Sequence, residues 1–104
     1  MRLSQIERLQ RSREFEISYG RLRMQQIETM ISDFERQCAD LEQQIKAEEV
    51  RVRVADPSHF AYPMYARAAR ERRAKIQASA EILKSELSKL RFERDEAVNQ
   101  SSAA

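Results

Sequence analysis

Asp56-Pro57-Ser58-His59-Phe60-Ala61-Tyr62-Pro63 decides the fold, because it is the one place where an otherwise unbroken helical pattern must stop. Each proline removes an amide donor and pushes the residue before it out of the α region. The spacing on either side therefore predicts a first helix over about 3–55, a turn over about 56–62 and a second helix over about 63–98. Pro63 suits the first turn of that second helix. Residues 99–104, Asn-Gln-Ser-Ser-Ala-Ala, read as a frayed tail.

Upstream of the turn, apolar residues alternate at threes and fours: Leu3, Ile6, Ile17, Met24, Ile27, Ile31, Phe34, Cys38, Leu41, Ile45 and Val52. That is a heptad seam, interrupted at Gln10, Arg13, Gly20 and Glu48, on a helix of roughly 75 Å. Downstream, Ala66, Ala69, Ile76, Ala80, Leu83, Leu87, Leu90 and Ala97 repeat the alternation, with Arg73 and Arg94 as polar breaks. Two heptad helices joined by a short turn pack antiparallel most readily, so the fold class is all-α: two long helices forming an antiparallel coiled-coil hairpin.

Composition agrees. The chain has 104 residues with one Gly, two Pro and no Trp, and 35% of it is charged, which leaves no room for a turn-rich sandwich, a barrel or a Gly-looped nucleotide fold. Lys plus Arg 19 against Asp plus Glu 17 gives a net charge of +2, too small to read as a general polyanion-binding signal. A lone Cys38 leaves no intramolecular disulfide or cysteine zinc site and fits a reducing compartment. No run approaches a membrane span and Met1-Arg2-Leu3-Ser4 opens no signal peptide, so the expected location is cytoplasmic.

Charges beside the seam set the orientation. The flank of the first helix carries Glu28, Glu35, Glu42 and Glu49; the matching flank of the second carries Arg70, Gln77, Lys84 and Arg91. Antiparallel pairing sets Glu49 opposite Arg70, Glu35 opposite Lys84 and Glu28 opposite Arg91, while Arg23 meets Glu93 on the other side. Such exposed pairs select orientation more than they stabilise. Two registers one heptad apart satisfy the row. One stacks Ile31 on Leu90, Phe34 on Leu87, Cys38 on Leu83 and Ile45 on Ile76, with Glu48 against Arg73 and, as its weak point, Ile27 against Arg94. The other faces Leu41 with Arg73. The first is preferred because a charge facing a charge costs less than a charge facing Leu.

An enzyme needs converging groups in a partly dry pocket, and this pattern offers no phosphate loop, no histidine pair and no nucleophile with its base, so the chain reads as non-enzymatic, with no cofactor and no small-molecule substrate. His59 suits a capping or loop-packing role and Cys38 a small seam position. Two features exceed a bland coiled coil. Phe60, Tyr62 and Tyr65 gather at the turn, either as a plug on the seam or as exposed anchors, beside the basic Arg67, Arg70, Arg72, Arg73 and Lys75. At the other end the first helix outruns the second, so Leu3, Ile6, Leu9 and Phe15 lack an opposite helix, and this end either frays or finds a partner, a second copy of the chain being one alternative. Nucleic acid is the least favoured partner, since the charge is nearly balanced, and it would show itself by affinity that falls steeply with salt.

Gln26-Ile27-Glu28-Thr29-Met30-Ile31-Ser32-Asp33-Phe34-Glu35-Arg36, the aromatic turn from Asp56 to Pro63, and Tyr65-Ala66-Arg67-Ala68-Ala69-Arg70-Glu71-Arg72-Arg73 resemble the alphaproteobacterial branch of the flagellar export protein FliJ family. The resemblance spans roughly residues 20 to 90, and the aromatic Asp-Pro turn is its specific part. It implies a small cytoplasmic coiled coil, similar to the central stalk of rotary ATPases, in the flagellar type III export apparatus. By the same resemblance the partners are the export ATPase ring, the membrane export gate protein and export chaperones, with a peripheral position at the inner face of the cell membrane. Phe60, Tyr62, Tyr65, Arg67, Arg70 and Arg72 would then contact the gate, and the end carrying Leu3, Ile6 and Leu9 the ATPase. The relatives usually continue the second helix further than this chain does, and the Ser-Ser-Ala-Ala ending departs from their charged extension.

Overall fold

A computed structural model describes residues 2–103, with side chains described over residues 4–100. Two helices, α1 (Arg2–Val52) and α2 (Met64–Ala103), fold back on one another as an antiparallel hairpin measuring 77 × 21 × 15 Å. The long axis is about what 51 helical residues at 1.5 Å rise require, so α1 runs the length of the molecule.

The core is a thin line between the helices in two segments. Met24, Ile27, Ile31 and Leu87 are buried together with Leu83 and Leu90 against them; nearer the turn, Ile45, Tyr62, Ala66 and Ala69 are buried with Leu41 and Val54. Ile27 is fully enclosed. Small Ala66 and Ala69 let the helices approach closely enough for Ile45 and the Tyr62 ring to share the space between them.

Three flank pairs join the helices as the charge row requires: Glu28 with Arg91 at 3.2 Å, Glu35 with Lys84 at 3.2 Å and Glu49 with Arg70 at 3.1 Å. On the opposite flank Arg23 pairs with Glu86 at 3.0 Å and not with Glu93. Together the two flanks fix the register that the sequence reading set aside: Ile27 lies level with Leu87, Ile31 with Leu83, Leu41 with Arg73 and Ile45 with Ala69. Cys38 correspondingly donates to the Arg73 carbonyl at 3.8 Å, and Glu48 turns to Arg51 on its own helix, with an Nε to Oε2 distance of 3.1 Å. Two physical terms decide the shift. Ile27 gains Leu87 where the other register would face it with Arg94, and Arg73 stays half-buried, so the seam does not enclose its charge.

The helix limits also differ from expectation. α1 stops at Val52, three residues early, because Arg53 adopts the left-handed region at φ 62° and the Val54 amide reaches back to the Glu49 carbonyl at 3.2 Å. That is a Schellman ending with arginine where glycine is usual. α2 continues to Ala103, so the expected frayed tail is helical up to there; Asn99-Gln100-Ser101-Ser102 contains no Gly or Pro to end it. Pro63 sits just before α2, its carbonyl accepting from Arg67 N at 3.0 Å.

Candidate functional site: the aromatic turn

Two consecutive turns build the tip. His59 N donates to the Asp56 carbonyl at 3.0 Å, and Tyr62 N donates to the His59 carbonyl at 3.1 Å. Asp56 braces the first: its Oδ1 accepts from Ser58 N at 2.9 Å and Ser58 Oγ at 2.7 Å, which holds its carboxyl below the usual range, the hydroxyl contributing most. His59 braces the second, Nδ1 accepting from Ala61 N at 3.0 Å, as its capping role requires.

The aromatics divide. Tyr62 is 4% exposed and belongs to the core, so it plugs the seam and is not an exposed anchor. Its hydroxyl donates to Glu49 Oε2 at 2.8 Å and accepts from Arg70 Nε at 2.7 Å, while Arg70 Nη2 donates to the same Glu49 oxygen at 3.1 Å. This closed triangle ties α1, the turn and α2. The bond from Tyr62, then that from Arg70, holds the Glu49 carboxyl below its ordinary value, and the bonds to the Tyr62 hydroxyl and then to Glu49 raise Arg70. Arg70 thus commits Nε and Nη2 to the fold, with its side chain 43% exposed.

Arg67 is drawn back to the turn. Its Nη2 donates to the Pro57 carbonyl at 3.3 Å, and its guanidinium lies 5.7 Å from the Tyr62 ring centre, with that of Arg70 at 5.8 Å. Tyr65 is exposed and donates to Gln44 Oε1 at 2.9 Å. Arg72 is exposed beside the groove that also holds Gln37, Leu41 and Ile76.

Phe60 remains. At 94% exposed it is the most open large apolar side chain among the described residues, stacked on His59 at 4.6 Å between ring centres, with Met64 next to it in exposure at 85%. The sequence reading grouped Phe60 with Tyr62 and did not single out Met64; nothing in their spacing separates a residue that points into the seam from one that points away.

At the other end, Ile6 and Leu9 are exposed on α1, and the side chain of Leu3 lies outside the described residues. Among the described residues no group of three or more metal-ligating side chains occurs, and no helix is long and apolar enough to cross a membrane. Compared with family models, curated proteins and solved structures, the chain matches none.

Proposed function

We infer that this chain is a non-enzymatic coiled-coil component of the flagellar type III protein export apparatus, a cytoplasmic rod that couples the export ATPase to the export gate and to export chaperones, peripheral at the inner face of the membrane. The observation that carries the reading is a rod 77 Å long with an exposed aromatic at its turn, Phe60, mounted on a tip that Tyr62, Glu49 and Arg70 lock to both helices. A rod of this kind performs no chemistry. It transmits binding at one end to a partner at the other. The resemblance in the turn and in the two flanking stretches supplies the identity of those partners.

Phe60 and Met64 give the turn rigid and adaptable apolar area, and Tyr65 and Arg72 give it polar reach, a mixture suited to a protein surface. Ile6 and Leu9 offer the corresponding apolar face for the ATPase end.

The test is direct binding of the purified chain to the export ATPase and to the cytoplasmic portion of the gate protein. Phe60→Ala with Arg72→Ala weakens the gate interaction at least tenfold and leaves the ATPase interaction and the melting temperature intact. Ile6→Lys with Leu9→Lys does the reverse. Binding to neither partner by the parent chain would remove the export reading and leave a generic coiled-coil adaptor. Affinity for RNA falling steeply with salt would favour the nucleic-acid alternative.

A further inference from the structure

The hairpin seam uses one face of α1, and a second stripe runs along the opposite face. Phe15, Tyr19 and Leu22 repeat at four and three residues and are 70%, 63% and 52% exposed, with the Phe15 and Tyr19 rings stacked at 6.4 Å. The same alternation continues to Gln26 and Thr29 on one side and Ser12 on the other, so that this line is uncharged over five turns in a chain that is 35% charged. The seam residues of the hairpin lie roughly 150° away around the helix, and α2 therefore leaves this face open. Three large apolar side chains in heptad spacing on a solvent face are a coiled-coil seam without a partner.

We propose that this stripe pairs with the same stripe of a second copy, antiparallel about a two-fold axis between Tyr19 and Leu22, giving a dimer with the two α1 helices at its centre and the two α2 helices outside.

The sequence of the stripe is self-complementary in that arrangement. Turning α1 about the axis sets Tyr19 on Leu22 of the other copy, Phe15 on Gln26 and Ser12 on Thr29, each an apolar pair, an amphipathic pair or a polar pair. The next position out on the two sides brings Arg8 of one copy onto Asp33 of the other, twice by symmetry. The stripe thus ends in opposite charges at the two places where an antiparallel copy would bring them together, and a parallel copy would set like on like. Asp33 already accepts from Arg36 on its own helix at 2.9 Å, with its side chain 47% exposed, leaving it room for a second cation. Arg23 of each copy falls near the axis, where Glu86 of its own α2 meets the charge at 3.0 Å.

The area is also of the right order. From full aromatic burial of ~150–250 Å² each, Phe15, Tyr19 and Leu22 expose roughly 350 Å² of apolar surface per copy. The polar positions along a contact of about 38 Å bring the pair near the ~1,200 Å² at which specific interfaces begin. That predicts a reversible dimer with a dissociation constant on the order of ten to a hundred micromolar.

The inference is independent of the export partners. Sedimentation equilibrium of the full chain, from a few micromolar to about a millimolar, tests it. The parent shows a monomer–dimer equilibrium; Leu22→Lys weakens it at least tenfold with helicity unchanged at dilution, because Leu22 lies outside the hairpin seam. Asp33→Arg alone weakens it, and adding Arg8→Asp restores it. Ile6→Lys, on the seam face, leaves it as in the parent. A chain that stays monomeric throughout overturns the proposal. So does a dimer that tolerates Leu22→Lys, or one that Ile6→Lys abolishes, which would place the contact on the projecting seam face. Failure of the charge swap to rescue would overturn the antiparallel register.

Discussion

Replacing Tyr62 tests whether the tip is a locked element or a loose loop. The ring is 4% exposed and fills the space bounded by Ile45, Ala66 and Ala69, and two guanidiniums lie on it. Neither alanine can grow into the gap that Tyr62→Ala would leave. Large aromatic truncations in a core cost ~3–5 kcal/mol, and the low end applies to a seam one side chain thick that collapses in part, so the expected loss is about 3 kcal/mol. At ~4–8 °C per kcal/mol for a chain of this size, the melting temperature falls by about 15 °C. Tyr65→Ala is the control: with its ring exposed and one hydrogen bond to Gln44, it lowers melting by a few degrees at most. Tyr62→Phe separates ring from hydroxyl and gives a smaller loss that depends on pH. Glu49 has its carboxyl depressed below the ordinary 4.5, chiefly by the Tyr62 hydroxyl, so its contribution is present above that value and lost as pH falls through the lower folded value. The difference between parent and Tyr62→Phe is therefore largest near neutral pH and closes as pH falls below 4.5 through that lower folded value. Thermal unfolding followed by circular dichroism reads all three. A Tyr62→Ala protein melting within a few degrees of the parent would refute the assignment of this ring to the core.

Gly20 lies within α1 where an added Cβ meets nothing within 4 Å, so Gly20→Ala removes a helix-interior glycine without a clash and stabilises by about 1 kcal/mol, read as a rise in melting temperature. Arg73 lies level with Leu41 on the seam and is half-buried, so Arg73→Leu extends the apolar line and stabilises by about 1 kcal/mol; destabilisation would mean that the guanidinium is needed there, as the Glu48 register supposes.

The hairpin was legible because three signals agreed. The threes and fours of the seam gave the helices, Asp56-Pro57 and Pro63 gave the turn, and the acidic flank facing the basic one gave the orientation, all as found. Register was not legible from the charges, because a heptad shift leaves the row complementary. The choice between the two rested on assigning Glu48 to Arg73, and Glu48 had a nearer partner in Arg51, one turn along its own helix. Arg53 at the end of α1 could not be read as a left-handed cap, since arginine gives no sign of adopting φ 62° where glycine would. In the turn, the sequence located the cluster but could not divide it. Tyr62 and Phe60 are two residues apart, and only the course of the two turns sends one ring into the seam and the other to solvent. The exposed stripe from Phe15 to Leu22 was hidden for a different reason: reading α1 as one seam leaves its other apolar residues without a period of their own.

If the rod joins an export ATPase to an export gate, as proposed above, protein secretion reports it. In a flagellated strain lacking the chain, the amount of filament and hook protein reaching the culture medium falls at least tenfold, and the parent chain restores it. Phe60→Ala with Arg72→Ala, which keep the melting temperature, fail to restore it. Normal secretion in the strain lacking the chain would exclude a role for the rod in export.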